Sequence, residues 1–395
     1  MQRRSVIFVE YQYYWGRGNW DRELMKRLAR RGHSIHAVTS PFPEEFKHEE
    51  EELKQLGVKF RFVKTWNRFA FAVGALYETY RIVGNDRKAI LYSPSIRLTP
   101  LYFPLKKLFN IPIVFSLQGA AIKEMETMPE FEDLRKHRLR YWLRRRIVAC
   151  LETMSAKLAD RVLVISQAIE EELVGQGIHP AKIELIYYCI DGHQFHRDQA
   201  KRQEVRQRFG IKENDTLIVY VARLSFDVPS RLQAAELLLD VAKDLDVKVL
   251  LSGGGSAADY VCRRIREKRL ENKVFMTGFV PHKEIPAVLS ASDVFFFVMK
   301  DPLPTYSLAL LEAMSCGSIA LTNDSGSARE IVKDGVNGYL VEPEVGQICA
   351  KLLDIMGQGR ERLKGLTCRA VDDVRRRYSW DVAEERIERL LSELD

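Results

Sequence analysis

Short apolar runs rich in β-branched and aromatic residues alternate along this chain with longer segments of helical periodicity. Buried strands separated by helices are typical of βαβ units, in which successive strands pair in parallel. The first half of the chain contains the predicted strands Val6–Val9, Ser34–Thr39, Phe60–Val63, Ala89–Tyr92, Ile113–Ser116, Arg161–Ile165 and Ile183–Ile186. The second half adds Leu217–Ala222, Lys248–Ser252, Val274–Thr277, Val294–Val298 and Ile319–Thr322. The alternation therefore predicts an α/β fold built on parallel sheets.

A polar stretch between the two series, Asp191–Asp215, contains a short helical piece and no predicted strand. We interpret it as the connection between two domains, because 395 residues exceed what one hydrophobic core comfortably holds. The predicted domains are two tandem, doubly wound Rossmann-like units, residues 1–192 and residues 193–379. An amphipathic helix at residues 380–395 is expected to pack back on the first. Two such domains in tandem would enclose a cleft at the carboxyl ends of their strands, where ligands bind in folds of this kind.

The composition is that of a globular protein, with 46% hydrophobic and 29% charged residues. Apolar runs are a handful of residues long, far short of the roughly 18–20 that span a bilayer. The apolar stretch near the N-terminus, Val6–Val9, is shorter than the roughly 7–15 residues of a signal-peptide core. We therefore expect a cytoplasmic protein. The six cysteines include no C-x-x-C pair, which disfavours a zinc site and a disulfide framework.

The positive charge is concentrated in one stretch, Arg135–Arg146, which holds seven Lys or Arg residues and no acid. Tyr141 and Trp142 are interleaved with these cations. Two interpretations stay open: peripheral contact with an anionic membrane surface, or a solvated helix face. Nucleic acid is disfavoured because no recognition motif accompanies the charges. The helix predicted over Phe131–Leu158 also carries apolar residues spaced by threes and fours, namely Leu139, Leu143, Ile147, Leu151, Met154 and Leu158.

The segment after the predicted strand Val294–Val298 contains the clearest candidate for a binding site. A proline-containing loop leads into a predicted helix that carries Glu312 on an otherwise apolar face. Backbone N–H groups at a helix start are unpaired and carry partial positive charge, so they suit a phosphate. A glutamate about a turn and a half further along could reach a ribose hydroxyl of the same ligand. The pattern favours a nucleoside diphosphate, although a buried helix with one partnered glutamate explains this segment equally well.

Further segments have the order and spacing of one known enzyme family. In the first half they read GRGNWDRELMKRLARRGHSIHAVT, IPIVFSLQG, LETMSAKLADRVLVIS and IYYCIDGHQF. In the second half they read VARL, LLSGGG, VFMTGFVPHKEIPAVLSASDVFFF, LLEAMSCGSIALT, SAREIVKDGVNGYLV and YSWDVAEERIERL. Nearly the whole chain thus resembles the retaining GT-B glycosyltransferases of the glycogen-synthase-like family, family four.

The resemblance implies two Rossmann-like domains, an acceptor-side domain and a nucleotide-sugar-binding domain, with an interdomain cleft. The implied activity is transfer of a sugar, with retention, from a nucleoside-diphosphate sugar to a glycan, glycolipid or small-molecule acceptor. A lipid-linked acceptor would suit the basic stretch Arg135–Arg146. The resemblance implies transfer without a bound metal, so neither a metal nor another cofactor is expected.

The resemblance also assigns donor-binding residues. Arg223, directly after the strand Leu217–Ala222, corresponds to the family's phosphate-binding arginine, and a guanidinium matches a diphosphate bidentately. Glycine at the first strand–helix turn allows close approach of a ligand to the backbone, although an ordinary tight turn is the alternative. The donor-binding candidates at the turns and strand ends are Gly16, Gly18, Gly253, Gly254, Phe279 and Val280.

The segment before the candidate helix completes the predicted donor site. Thr305, Tyr306, Ser307 and Leu308 are expected to face the diphosphate, with N–H groups offered by Ser307 and Leu308. Ser307 can also serve as a plain N-cap, and the two roles are compatible. Glu312 is expected to hold the ribose hydroxyls.

Three positions depart from the family pattern. Gln118 stands where the family has a histidine, Val228 where it has a lysine, and Pro304 where it has a first glutamate. Arg231 and Asp301 lie nearby in sequence and are candidate substitutes for the missing lysine and glutamate, although Arg231 can equally be a solvated helix residue. The departures concern the sugar and phosphate ends of the donor, so either the donor sugar differs from the family's or catalysis is weakened.

Two hypotheses for function follow. In the first, the protein is a glycosyltransferase in which Arg223, Gln118 and Glu312 carry catalysis. Charge-matched donors, Arg223 and the helix start, would then stabilise the leaving phosphate. In the second, it is a catalytically silent homologue that binds nucleotide or glycan as a partner or scaffold. A GT-B epimerase or phosphorylase is disfavoured by the C-terminal segment and the ordered family blocks.

Overall fold

The computed structural model describes residues 3–11, 18–65, 67–119, 125, 136–300, 307–324 and 328–394. These residues form two compact units. The first takes its described residues from Met1–Glu126, Phe131–Tyr188 and Ala383–Asp395, and the second from Cys189–Val382. Each unit contains a parallel sheet with helices connecting its strands, so the predicted α/β class with two doubly wound units is confirmed.

The first sheet has the strand order β3-β2-β1-β4-β5-β6-β7, and all its described pairings are parallel. Its central strands are buried on both faces, which explains why they read as continuous apolar runs. The strands are β1 (Ser5–Val9), β2 (Ser34–Thr39), β3 (Lys59–Phe62), β4 (Ile90–Ser93), β5 (Ile113–Leu117), β6 (Arg161–Val164) and β7 (Ile183–Leu185).

The helices of the first unit end and begin at residues suited to those positions. Gly32, with φ 87°, follows the first helix, and the Gly32 and His33 amides bond to the carbonyls of Ala29 and Leu28. Asn67 caps the third helix by accepting from the Phe69 amide at 2.8 Å. The helices are α1 (Gly18–Arg30), α2 (Lys47–Gln55), α3 (Arg68–Asn85), α4 (Phe103–Phe109), α5 (Arg138–Leu158) and α6 (Gln167–Gly175).

The second sheet has the order β10-β9-β8-β11-β12-β13, again with parallel pairings throughout its described strands. The predicted strand bounds agree with the structure to within one or two residues. The last strand was not predicted from the sequence, since two residues are too short for a periodic pattern. The strands are β8 (Leu217–Val221), β9 (Lys248–Ser252), β10 (Val274–Gly278), β11 (Val294–Phe297), β12 (Ile319–Thr322) and β13 (Tyr339–Leu340).

Some of the helices after Tyr188 connect the strands of the second sheet, and others follow its last strand. They are α7 (Gln199–Arg208), α8 (Pro229–Asp244), α9 (Ala258–Glu267), α10 (Ile285–Ala291), α11 (Leu308–Ser315), α12 (Ala328–Ile331), α13 (Val345–Gly357), α14 (Arg360–Arg377) and α15 (Trp380–Ser392). From Ala383 onward α15 belongs to the first unit, where the Glu388 carboxylate lies 3.0 Å from His33 Nε2.

The polar stretch interpreted as a connection is packed into the second unit. Helix α7 contacts α10, and its Arg202 and Arg206 are buried. Arg202 Nη2 lies 2.8 Å from Asp293 Oδ1, and Arg206 Nη1 lies 3.2 Å from Asp293 Oδ2. Both guanidinium groups also donate to the Ala291 carbonyl, at 2.9 and 3.0 Å. A buried charge needs such partners, and a polar sequence can therefore form part of a core.

Candidate functional site

The second sheet reverses its strand order between β8 and β11, and both strands point their carboxyl ends to the same edge. In doubly wound sheets ligands bind at this switch point. Arg223 lies two residues beyond the end of β8, and β11 leads towards α11. Asp301, Pro304, Thr305 and Tyr306, which belong to that connection, lie outside the described residues.

Arg223 presents an exposed guanidinium at this edge, with 57% of its side chain accessible. Its Nη2 donates to Asp227, whose carboxylate also accepts from the Ser225 hydroxyl. The Ser225 hydrogen bond and the charge of Arg223 lower the pKa of Asp227. Because Asp227 is itself exposed, a diphosphate can replace it as the anionic partner of Arg223.

The glycine loop after β9 holds the backbone around Arg223 in place. Gly253 and Gly255 have φ values of 146° and 144°. A Cβ on Gly253 would lie 1.8 Å from the Ala222 carbonyl oxygen, and one on Gly255 would lie 2.2 Å from that of Leu224. The two carbonyls flank Arg223 in sequence, so these glycines are required for backbone packing on both sides of the candidate phosphate ligand.

Gly254 has a different environment. A Cβ there would meet the Phe279 backbone N at 3.4 Å, an ordinary contact. Phe279 and Val280 directly follow β10, and the Phe279 side chain is 81% exposed. The Gly253 amide donates to the Gly278 carbonyl at 3.0 Å, which joins the β9 and β10 ends. The predicted base-binding position is therefore next to the glycine loop.

Ser307 is the N-cap of α11, since its hydroxyl accepts from the Leu310 amide at 3.3 Å. Leu308 is the first residue of the helix. The N-cap geometry observed here is the simpler of the two roles expected for Ser307, and binding of a phosphate remains a prediction. In the first unit Gly18 begins α1, whereas Gly16 lies outside the described residues.

Glu312 is 8% exposed and has a partner that sequence reasoning missed, His282. His282 Nε2 lies 3.0 Å from Glu312 Oε1, and this hydrogen bond raises the pKa of the imidazole above its ordinary value. The His282 ring also contacts Phe195, with ring centroids 5.3 Å apart. A ribose bound by Glu312 would share that carboxylate with His282, whose side chain is largely exposed.

The Val228 position, where a lysine was expected, immediately precedes α8. Arg231 lies in the first turn of α8, and its carbonyl accepts from the Tyr220 hydroxyl at 3.0 Å. Val228 therefore ends the loop between Arg223 and α8, and Arg231 belongs to the helix itself.

The first sheet has its own switch point, between β1 and β4, and a cavity of about 610 Å³ lies there. Gln118, directly after β5, forms part of its wall together with Asp21 of α1. Gln118 Nε2 and the Tyr92 hydroxyl each donate to Asp21 Oδ1 at 2.8 Å. The Tyr188 hydroxyl donates to Gln118 Oε1 at 3.4 Å. Gln118 is thus oriented by a buried network.

Asp21 is 1% exposed, and burial is the main cause that raises its pKa to about 8. The hydrogen bonds from Tyr92 and Gln118 oppose that shift, while the charge of Glu10 adds to it. At neutral pH most Asp21 carboxyls are therefore protonated. Sequence reasoning missed Asp21; its one signal was a position in the first turn of the helix after the predicted glycine loop.

The described part of the basic stretch lies on α5. The regularly spaced apolar residues in the first half of this helix face solvent, and other residues of the helix are buried. Leu139, Leu143 and Ile147 are 77%, 53% and 51% exposed, whereas Val148 and Glu152 are buried. Spacing by threes and fours usually indicates contact with a core, and here it indicates an outward stripe instead. The exposed Trp142 ring stacks with the guanidinium of Arg146, 4.8 Å from the ring centroid.

Within the described ranges, no three His, Cys, Asp or Glu side chains are grouped so that they could hold a metal ion. Among the helices that the structure describes, none combines the length and the hydropathy that a membrane-spanning segment needs.

Two family models match the chain. The model described as Glycosyltransferase Family 4 matches residues 22–194. The model described as Glycosyl transferases group 1 matches residues 201–364. The matches lie one after the other and together cover every strand of the two sheets except β1.

Curated relatives are distant in sequence. An uncharacterized glycosyltransferase of Methanocaldococcus jannaschii is 24% identical over 246 residues, which is 61% of this chain and 62% of that protein. The N-acetyl-alpha-D-glucosaminyl L-malate synthase of Bacillus anthracis is 22% identical over 333 residues, 83% of this chain and 80% of that protein. The chain therefore matches less than two thirds of the length of the first of these relatives.

Solved structures share the fold. HepE of Anabaena, crystallised in complex with UDP, has a TM-score of 0.77 at 18% identity, and the match covers 99% of this chain and 100% of that one. A glycosyltransferase from Rickettsia africae also has a TM-score of 0.77, at 15% identity, with 100% and 99% covered. At these identities the likeness is one of fold.

Proposed function

Because the chain belongs to the group 1 glycosyltransferases, we propose that it transfers a sugar from a nucleoside-diphosphate sugar to a hydroxyl-bearing acceptor. The observation that carries this proposal is the exposed guanidinium of Arg223 at the switch point of the second sheet. A guanidinium matches a diphosphate in charge and geometry. The UDP bound in the Anabaena structure and the sugar named in the Bacillus relative support a donor of this class.

The other donor contacts are assigned around Arg223. Glu312 binds the ribose, and the main chain at Phe279 and Val280 borders the base. The N–H groups at the start of α11, from Ser307 and Leu308, face the diphosphate. Gly254 lies beside Phe279 in this arrangement.

In our proposal the transfer retains the configuration of the sugar and passes through an oxocarbenium-like state. Negative charge then grows on the leaving phosphate. Arg223 and the positive end of the α11 dipole stabilise that charge, which is a preorganised electrostatic effect. Gln118, which donates to Asp21, would act in catalysis as a neutral hydrogen-bonding group. No step uses a metal, and metal-independent turnover stays a prediction.

The acceptor is a glycan, a glycolipid or a small molecule, and we assign it to the cavity of the first unit. That cavity combines hydroxyl-binding polar groups, Asp21 and Gln118, with an apolar wall that includes Phe69 and Leu101. Such a mixture suits a sugar or another polyol, whose ring faces are apolar and whose edges are polar.

The donor site is tested with Arg223→Ala and Glu312→Ala. We expect each variant to bind UDP more weakly by about tenfold or more, because a charge-assisted hydrogen bond is lost. For Arg223→Ala the rate of donor hydrolysis or transfer should also fall by about 10²–10³-fold, as when an oxyanion donor is removed. Calorimetry with a panel of nucleotides and nucleotide sugars, followed by a nucleotide-release assay, measures both effects.

The control is Arg264→Ala, which removes a half-buried arginine that forms an ion pair with Glu267 at 2.7 Å. Arg264 lies in the last turn of α9, which leads away from the carboxyl edge of the sheet, so it should leave nucleotide affinity unchanged. Equal affinities of parent, Arg223→Ala and Glu312→Ala would refute the donor site. Tight nucleotide binding without release under any acceptor would instead indicate the silent homologue.

We further propose that the outward face of α5 rests on an anionic membrane at the cytoplasmic side. The apolar side chains of Leu139, Leu143 and Ile147 would enter the headgroup region. The described arginines of α5, Arg138, Arg140, Arg144, Arg145 and Arg146, are exposed and would attract anionic lipid. This arrangement favours a lipid-linked acceptor among the classes above.

Vesicle co-sedimentation tests the membrane contact. The parent should bind phosphatidylglycerol vesicles more than phosphatidylcholine vesicles, and added salt should weaken the binding. The double variant Leu143→Ser and Ile147→Ser should lose most of it, because two apolar anchors are removed. The control, Leu353→Ser and Met356→Ser, changes two exposed apolar residues of α13 in the second unit. The proposal is refuted if vesicle binding does not respond to salt and if the α5 double variant binds vesicles as well as the control variant does.

A further inference from the structure

The cavity of the first unit has two arginines among its lining residues, Arg68 and Arg97. We propose that this cavity binds an acceptor that carries a carboxylate or a phosphate, with Arg68 and Arg97 holding the anion and the Asp21–Gln118 side facing the acceptor's hydroxyl groups. The inference rests on the proposed function, since it specifies the chemical class of the acceptor.

The two arginines are close enough to affect one another, and neither forms an ion pair with any residue in the described part of the chain. Partial desolvation lowers the pKa of Arg97, and the positive charges of Arg68 and Arg144 lower it further. Arg68 has its guanidinium over the Tyr11 ring, 5.9 Å from the centroid. Like charges held together at a cavity are unfavourable, and an anion bound between them relieves the repulsion.

The charge balance of the cavity also favours an anion. Its described ionisable lining residues are Arg68, Arg97, Glu10 and Asp21. Asp21 is mostly neutral near pH 7, because its carboxyl is buried. The two guanidinium charges therefore face one carboxylate, that of Glu10, which accepts from the Tyr11 amide at 2.7 Å. Counted over the described lining residues, the cavity is cationic by one charge and can compensate a singly charged acceptor.

Two further lining residues provide hydrogen bonds without charge. The protonated Asp21 carboxyl and the Gln118 amide can donate to and accept from hydroxyl groups. The lining also includes apolar side chains, among them Phe69, Leu98 and Leu101. A hydroxylated acid or phosphate ester thus finds an anion site, an apolar wall and a hydroxyl site in one cavity.

The test compares matched ligands and arginine variants. Glycerol 3-phosphate and glycerate are the anionic probes, and glycerol is the neutral one; affinities are measured by calorimetry, with and without UDP. We expect the anionic probes to bind and Arg97→Gln to weaken them about tenfold to hundredfold, with Arg68→Gln acting in the same direction. Arg97→Lys, which keeps the charge but loses the fork geometry, should recover part of the affinity.

The control is Arg87→Gln, an exposed arginine of the first unit that precedes β4, at the opposite edge of the sheet. It should leave the affinities unchanged. A second arm uses phosphatidylglycerol vesicles, since the same headgroup chemistry can come from a lipid. Loss of vesicle binding in Arg97→Gln, with no binding of soluble probes, identifies a lipid source and supports the proposal.

The proposal is overturned if anionic and neutral probes bind equally, or if neither soluble probes nor vesicles respond to Arg97→Gln and Arg68→Gln. These measurements need no turnover. A chain that binds the anionic probes through Arg97 but no nucleotide would therefore keep this site while refuting the proposed transferase function.

Discussion

At the scale of single residues, some members of the two candidate sites could be selected from the sequence, whereas others became apparent only from their contacts in the structure. Arg223 could be selected from the sequence because it directly follows a predicted strand, at the position that the family resemblance gives to a phosphate-binding arginine. Asp21 could not, because its burial depends on the tertiary fold and its partners Tyr92 and Gln118 are 71 and 97 positions away in the chain. Likewise, Glu312 was selected, while its partner His282 became apparent only from their 3.0 Å contact.

The raised pKa of Asp21 has a consequence for stability. The folded state, with a pKa of about 8, keeps a proton that the unfolded state releases near the ordinary value of 3.8. Stability should therefore fall as the pH rises from about 4 to about 8 and level off above that. Asp21→Asn has no proton to release and can still accept from Tyr92 and Gln118, so we expect it to be more stable than the parent at pH 8, by on the order of a few kcal/mol.

Urea unfolding at a series of pH values measures this difference. The gap between Asp21→Asn and the parent should shrink as the pH falls towards the ordinary aspartate pKa of 3.8 and vanish below it, where both side chains are neutral in both states. Asp21→Ala, which removes the acceptor as well, separates the effect of charge from the effect of the hydrogen bonds. Parallel pH profiles for Asp21→Asn and the parent would contradict the argument.

At the scale of secondary-structure elements, the strand bounds were predicted well, whereas the orientation of the apolar residues of α5 could not be read from their spacing. Strand bounds follow from local runs of apolar residues, and β2, β9 and β12 agree residue for residue with the prediction. The apolar spacing of α5 was equally regular, yet Leu139, Leu143 and Ile147 face outward. Periodicity reports that a helix has an apolar face, but it does not report whether a core, a membrane or another surface covers that face.

The glycine loop between β9 and α9 allows a prediction about an element. Gly255→Ala should destabilise the second unit by about 1–3 kcal/mol or more, because the residue has φ 144° and the new methyl would lie 2.2 Å from the Leu224 carbonyl. It should also weaken nucleotide binding, since Leu224 adjoins Arg223. Urea unfolding and UDP calorimetry check the two effects.

Gly346→Ala is the control for this change. Gly346 lies inside α13, and a Cβ there would meet nothing within 4 Å. Alanine favours a helix over glycine, so the substitution should be neutral or stabilising by roughly 0.5–1 kcal/mol. If both substitutions had the same effect, the close packing around Gly255 could not be the cause.

At the scale of the whole molecule, the sequence by itself determined the fold class, the order of the elements and the family. These depend on local patterns: apolar runs form buried strands, and each run is separated from the next by enough residues for a helix. The tertiary structure decided that the polar segment around Arg202 and Arg206 is buried, that α5 turns its apolar residues outward, and that Asp21, Tyr92 and Gln118 meet at one cavity. Whether each of these side chains is buried depends on contacts between residues that are far apart in the chain. Burial in turn determines which polar groups need partners and how their pKa values shift.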